Sequence, residues 1–368
     1  MLRPGAASRD HPDVVSGLGE QERGGGAGRA GADNYVECHA FDAMNRSEDF
    51  RWPGSFGRCL RVFGVDVLSD VLVAMRTGRP TAARSSSRAP WGVRFHRGKA
   101  AGCHVVLAGG CWLVSGTGEP LPLGVGDVLF TPHGDGYALV DQLGSPIVDF
   151  EPRPGDATPL DEMHIEGAGA VTELLCAYYM FDPARPHPLL ADLPAIIHVP
   201  ARVGQHPSLR SAVEMLGSEL LSPRPGTEAV LPSLIDMLLL YVLRAWLAER
   251  PDSAAGWATA LRDPAITTAL RQMHRHPEKP WTVEDLAAVA GLSRAAFAKR
   301  FATILGQPPL AYLTWWRMTT AARLLRESGA PLRTVATRCG YGSEYAFGKA
   351  FKRAYDVAPG QYRAQHPT

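Results

Sequence analysis

Two stretches in the last hundred residues share one rhythm of apolar and polar positions. In the first, Val283, Leu286, Ala287 and Ala290 fall at helical spacing and predict a short amphipathic helix. Gly291 can take the left-handed conformation that ends such a helix, and Leu292 then plugs the corner. Ser293 suits the N-cap of a second helix, because its hydroxyl accepts from an otherwise unpaired amide. Phe297, Phe301 and Ile304 face inward along that helix until Gly306, Pro308 and Pro309 stop it. The second stretch repeats the pattern, with Leu332, Val335 and Ala336 as stripe, Gly340 as turn, Ser343 as cap, and Phe347 and Phe351 inward. Between them TWWRMTTAARLLRES predicts a longer helix, with Leu313, Trp316, Ala321, Leu324 and Leu325 placed to join the halves. A short helix, tight turn and second helix is how a protein offers one helix to the DNA major groove. Apolar spacing alone would equally suit a small helical bundle; two tandem copies with matching turn chemistry predict a reader of two neighbouring groove faces.

Upstream, the period changes. DVLSDVLVAMR carries Val67, Leu68, Val71, Leu72 and Met75 at helical spacing. From Pro90 the chain reads as short strands divided by Gly and Pro: WGVRF, CHVVLAG, CWLVS, EPLPLG, DVLFTP and YALVD, a rhythm that predicts a small antiparallel barrel. AVTELLCAYYMFD and LLADLPAIIHVP have period-two runs that would complete it. HPSLRSAVEMLGSELLS and VLPSLIDMLLLYVLRAWLAER then predict two helices joined by PRPG. The second is strongly apolar, but Asp236 and Arg244 interrupt it, and it is expected to fall short of a bilayer span. The fold class expected is α+β: a β-barrel and helical hairpin, followed by an all-α tandem helix-turn-helix domain.

Composition divides the 368-residue chain further. Residues 1–57 are rich in Gly, Ala, Arg and Asp without an apolar period, so they are expected to be a disordered extension, or residues preceding the true start of translation. They contain no apolar secretory core, which points to the cytoplasm. Residues 58–200 are expected to form the barrel, 201–250 the hairpin, 251–263 a linker and 264–366 the helical domain. From Asp263 onward fifteen Lys and Arg face seven Asp and Glu, a surplus of eight. Because the whole chain is only +1, the preceding residues carry −7. A basic module on an acidic remainder is the footprint expected for phosphate contact.

The segment from about Pro264 to Tyr362 resembles the DNA-binding domain of the AraC/XylS family of bacterial transcription regulators. The resemblance is carried by Ala336, Gly340-Tyr341, Ser343, Phe347, Phe351-Lys352, Pro359 and Tyr362-Arg363. Asp356 stands where the family usually has Gly; a positive φ is expected there, which Asp tolerates better than most residues. The resemblance implies that the first recognition helix presents Ala295, Ala298 and Lys299 to base edges, with Arg294 on the same outer face. It implies that the second presents Tyr345, Gly348 and Lys349 beside Glu344, while Lys352 and Arg353 contact phosphate.

GVGDVLFTPHGDGYAL, from Gly124, resembles the second sequence motif of cupins, with Gly126, Pro132 and Gly134 in place. Where a metal-binding cupin would carry His, this chain has Tyr137. A metal site needs several converging ligands, and His104 and His133 are weak candidates, so no metal or other cofactor is expected. Regulators with this helical domain often carry such a barrel as their sensing domain. Six cysteines (Cys38, Cys59, Cys103, Cys111, Cys176 and Cys339) show neither C-x-x-C nor zinc spacing. Cys103, Cys111 and Cys176, on barrel strands, are expected to be buried filler, with a thiol sensor as the alternative. No nucleophile elbow, phosphate-cradling loop or metalloprotease motif occurs, so no enzyme is expected.

The function expected is therefore a sequence-specific, DNA-binding transcription regulator whose barrel senses a small-molecule or redox signal. Its partners would be double-stranded DNA, an effector, RNA polymerase if it activates, and a second copy of itself, with no membrane. The alternatives are a metal-dependent cupin enzyme with an accessory DNA-binding domain, and an architectural DNA-binding protein without a ligand.

Overall fold

Asp66 caps a first helix, α1 (Val67–Met75), by accepting from the Leu68 amide, and Val67, Leu68, Val71, Ala74 and Met75 form its buried side. The computed structural model describes residues 66–366, save 99, 117, 151–163, 183–185 and 250–254. The expected extension over 1–57, with Cys38 and Cys59, lies outside the described residues. After α1 the described residues form eleven strands: β1 (Thr81–Arg88), β2 (Gly92–Phe95), β3 (Ala100–Ala108), β4 (Cys111–Ser115), β5 (Leu121–Leu123), β6 (Val128–Thr131), β7 (Tyr137–Val140), β8 (Val148–Asp149), β9 (His164–Ile165), β10 (Val171–Met180) and β11 (Ile197–Val199). A four-residue helix, α2 (Pro188–Ala191), precedes β11.

The strands form two sheets rather than one closed barrel. One has the order β11-β6-β3-β10-β1-β9 and the other β5-β4-β7-β2-β8. Most pairs are antiparallel, but β1–β9 and β2–β8 run parallel. Trp91, Val93, Phe95, Leu113, Leu129, Tyr137, Leu139, Leu174 and Cys176, drawn from both sheets, share one apolar core. β1 has no counterpart in the apolar pattern, because TAARSSSR lacks large apolar side chains. Its small residues Ala82, Ala83, Ser85 and Ser87 are nonetheless buried where it pairs with β10.

Helices α3 (Pro207–Leu221) and α4 (Thr227–Glu249) form the expected hairpin. At 23 residues α4 is long and apolar enough to cross a bilayer, which corrects the expectation that it falls short. Here Ile235, Leu238, Leu239, Val242, Leu243 and Ala245 are buried against protein. The Tyr179 hydroxyl donates to the Ile235 carbonyl, and Asp236 pairs with Arg76.

The helical half comprises α5 (Trp257–Arg262), α6 (Pro264–Arg275), α7 (Val283–Val289), α8 (Arg294–Leu305), α9 (Pro309–Glu327), α10 (Leu332–Arg338), α11 (Glu344–Tyr355) and α12 (Pro359–Gln365). Helix α5 falls within the segment expected as a linker: Trp257 is 2% exposed and its ring packs against His187 and Tyr312. The described residues belong to one unit, and their cores explain why. A single apolar cluster runs from α1 and the sheets through the hairpin to Phe297 and Phe301 of the first helix-turn-helix and Leu313 and Trp316 of α9. The second helix-turn-helix has its own cluster, built on Met318, Ala321, Leu325, Val335, Phe347, Phe351, Tyr355 and Tyr362. Helix α9 enters both, as the inter-copy segment implied.

Candidate nucleic-acid interface and its link to the sheet half

Caps and turns set the two recognition-type helices. Thr282 and Asp285 form a reciprocal capping box at α7, and Ser293 and Ser343 accept from the Ala296 and Ala346 amides to start α8 and α11. The turn glycines Gly291 and Gly340 have φ of 70° and 76°. Each second helix ends in a left-handed residue, Gly306 in the first copy and Asp356, at φ 61°, in the second. The positive φ expected at Asp356 is thus present.

Gly340 is constrained by more than its φ. A Cβ there would lie 2.8 Å from Arg317 Nη2 and 2.8 Å from the Pro277 carbonyl oxygen. Arg317, on α9, donates through Nε to Pro277 O and through Nη2 to Lys279 O, both at 2.7 Å. Its guanidinium therefore clamps the loop before α7 against the turn of the second unit, where a methyl group has no room.

Burying Phe297 and Phe301 on one side of α8 turns Arg294, Ala295 and Lys299 to solvent, with Ala298 half-buried. Burying Phe347 and Phe351 does the same on α11, exposing Glu344, Tyr345 and Lys349, with Gly348 half-buried. Tyr345 is 82% exposed, unusual for a side chain of that size. Arg294 pairs with Glu284 at 2.9 Å, both exposed, which holds it along the surface between α7 and α8. Lys299, Lys349, Lys352 and Arg353 have no ion-pair partner among the described residues. Lys352 and Arg353 also occupy the last turn of α11, where a cation is favoured by the helix dipole irrespective of any ligand.

Sequence reasoning missed the polar contacts that join the two halves. The His187 Nδ1 accepts from the Leu189 amide at 2.9 Å, which leaves the proton on Nε2 facing the Tyr312 hydroxyl at 3.4 Å. Tyr312 donates to His274 Nε2 at 2.7 Å, and His274 Nδ1–H donates to Asp70 Oδ2 at 3.2 Å. One directed chain thus links α2, α9, α6 and α1 with both imidazoles neutral. Burial lowers the pKa of both rings, for His274 against the opposing pull of Asp70. At the other end of α9, Arg326 donates through Nη1 to the Tyr362 hydroxyl at 2.7 Å and to Asp182 at 3.4 Å, all three buried. Histidines scattered on separate elements carry no local signal of such a chain.

Inside the sheet core, His104 lies with Nε2 2.5 Å from the Tyr137 hydroxyl and Nδ1 3.1 Å from Cys176 Sγ. The tyrosine at the cupin motif's histidine position therefore hydrogen-bonds His104, whose pKa burial lowers to about 4. His133 instead faces the Leu193 carbonyl at 2.8 Å. Among the described residues no three His, Cys, Asp or Glu side chains gather as a metal cluster. Burial pushes the thiols of Cys103, Cys111 and Cys176 up to about 12. A redox-sensing cysteine needs the opposite, a lowered pKa and access.

Residues 66–248 match the cupin family, and residues 286–365 match a helix-turn-helix domain family. A protein of Streptomyces antibioticus named as an AraC-like transcription regulator is 35% identical over 309 residues, covering 82% of this chain and 99% of its own. A like-named protein of Streptomyces lividans is 36% identical over 310 residues, covering 83% and 99%. The transcriptional regulator MtrA of Neisseria gonorrhoeae is 32% identical over 279 residues, covering 75% and 90%.

Proposed function

The chain belongs to the AraC-like transcription regulators, and from that premise we propose that the outer faces of α8 and α11 read operator DNA under control of a small effector received by the cupin half. The observation that carries the DNA reading is the pair of capped helices whose inward Phe residues turn the unpaired Lys299 and Lys349 outward. Lys299 can donate to guanine O6 or N7, while Ala295 and Ala298 offer only shape and apolar contact. Helix α11 is poorer in base-reading groups, so Lys352 and Arg353 serve mainly to hold phosphate, which positions without specifying.

An effector can shift the protein only if it binds two arrangements unequally. The division of cores favours movement of the second helix-turn-helix relative to the first, since the first shares its apolar cluster with the sheet half. The α3–α4 hairpin leaves Met215, Leu221 and Val230 exposed, which supports pairing of two copies through it. As an activator the regulator would also touch RNA polymerase, in the cytoplasm. The buried thiols favour a small-molecule signal over a redox one.

Genome-wide mapping of binding sites, followed by operator titrations at several salt concentrations, tests this. A linear loss of log affinity with log salt is expected. A flat dependence would count against phosphate contact.

A further inference from the structure

A cavity of about 480 Å³ opens between the first sheet and the N-terminal end of α3. This volume is in the range that takes a small organic ligand. The accessible part of its wall is apolar: half-buried Leu107, Pro200 and Val213, with Val125 exposed beside them. Its mouth is basic, with Arg202 and Arg210, both exposed and neither in an ion pair among the described residues. The single acid on the lining is Glu214.

His206 sits at this mouth in an unusual state. It precedes α3 with φ 49° and ψ 51°, left-handed for a residue with a Cβ, and its side chain makes no cap to the helix. Such backbone conformations cost free energy and concentrate at ligand clamps and switches. The His206 Nε2 instead lies 3.3 Å from Glu249 Oε1, the last residue of α4. Eight residues further on, Trp257 is buried against His187 and Tyr312, and the adjacent Gly256 amide donates to Ile304 O of α8 at 2.8 Å.

We propose that this cavity is the effector site, and that its ligand is a small organic anion with an apolar body. The inference rests on the reading that the cupin half receives a small molecule. The apolar body lies against Leu107, Pro200 and Val213, and the anionic group meets Arg202 and Arg210. The ligand's anionic oxygens compete with Glu249 Oε1 as acceptors for the His206 ring nitrogen. Releasing Glu249 frees the end of α4, whose Leu247 carbonyl accepts from Arg262 of α5, and α5 in turn begins after Gly256, bonded to Ile304 of the first recognition helix.

Isothermal titration of the full-length chain with 1-naphthylacetate and with its neutral amide tests the site. The anion is expected to bind at least tenfold tighter than the amide. The Arg202→Gln/Arg210→Gln variant, changed only at exposed positions, should remove that difference, and Val213→Trp should abolish binding of both. Loss of the 1-naphthylacetate effect on operator affinity in His206→Gln, with binding retained, would support the route through Glu249. Equal affinity for acid and amide overturns the ligand class, and binding indifferent to all these variants overturns the site. Association with anionic phospholipid vesicles, without binding of 1-naphthylacetate, would make the groove a membrane contact and overturn the proposal. An operator response to an effector that binds the groove-filled variant normally would leave the regulator reading intact while sinking this assignment.

Discussion

The His274 Nδ1–H donates to the Asp70 carboxylate at 3.2 Å, and this bond ties α6 of the helical half to α1 of the sheet half. The His274 side chain is fully buried and its ring stacks on Trp316 at 3.7 Å, so no water can replace a lost partner without repacking. Asp70→Ala leaves that donor unpaired in the interior. It should cost about 1–3 kcal/mol, the usual penalty for a buried unsatisfied polar group, read as a lower urea midpoint. If the bond holds the two halves in one arrangement, operator affinity should change in the same variant at temperatures where it remains folded.

Acid should weaken the fold earlier than the carboxylates alone would require. The His104 pKa is about 4 in the folded chain against an ordinary value near 6.5, and His187 and His274 are lowered as well, in each case first by burial. The unfolded chain therefore takes up these protons first as pH falls. The stability involved is complete above about pH 6.5 and is lost as pH drops toward the folded values. At about 1.4 kcal/mol per unit, His104 alone accounts for on the order of 3 kcal/mol. Urea midpoints between pH 7.5 and 4.5 should fall steadily, and less steeply in His104→Phe. A flat profile would show that these rings are not held neutral.

Two left-handed positions should respond in opposite senses. Gly340→Ala forces a Cβ against Arg317 and the Pro277 carbonyl at φ 76°. A loss of about 1–3 kcal/mol is expected, the range for strain of this kind. Asp356→Gly relieves a non-glycine residue at φ 61° and should gain about 0.5–1 kcal/mol. Denaturation midpoints of the two variants beside the parent chain decide both; destabilisation by Asp356→Gly would show that the aspartate side chain has a role of its own.

The thiols of Cys103, Cys111, Cys176 and Cys339 should resist alkylation in the native state, since burial pushes each up to about 12 and the thiolate is the nucleophile. Iodoacetamide labelling followed by mass spectrometry should modify them only under denaturing conditions. Rapid native labelling of any of the three on the sheets would restore the thiol-sensor reading.

On DNA the cations should separate into two behaviours. Lys352→Ala and Arg353→Ala should weaken binding to all sequences alike and each reduce the salt slope by about one. Lys299→Ala should relax preference at one base pair, at a cost of about 1–3 kcal/mol for the favoured sequence. A larger change in preference from Lys349→Ala would reverse the ranking of the two helices.

The helix-turn-helix units were legible because local rules specify them: a stripe at helical period, a glycine for the left-handed turn, a hydroxyl for the cap and a Phe pair four residues apart. β1 was not, because a strand made of Ala, Ser, Thr and Arg carries no apolar alternation; pairing with β10 supplies what its side chains do not. Helix α5 was hidden by length, six residues being too few to display a period. Its buried Trp257 was the available signal. The outward faces of α8 and α11 were readable by subtraction once the inward Phe positions were known.

The order of residues by itself determined the paired capped helices and their glycine turns, since each follows from contacts within a few positions along the chain, while the expectation of a left-handed Asp356 came with the family resemblance. Only the tertiary structure decided that His274 would meet Asp70, that Arg317 would wedge against Gly340, and that Tyr137 would hydrogen-bond His104. A buried polar group must find a partner to offset its lost hydration. Which partner it finds depends on how distant elements pack, and no local period records that choice.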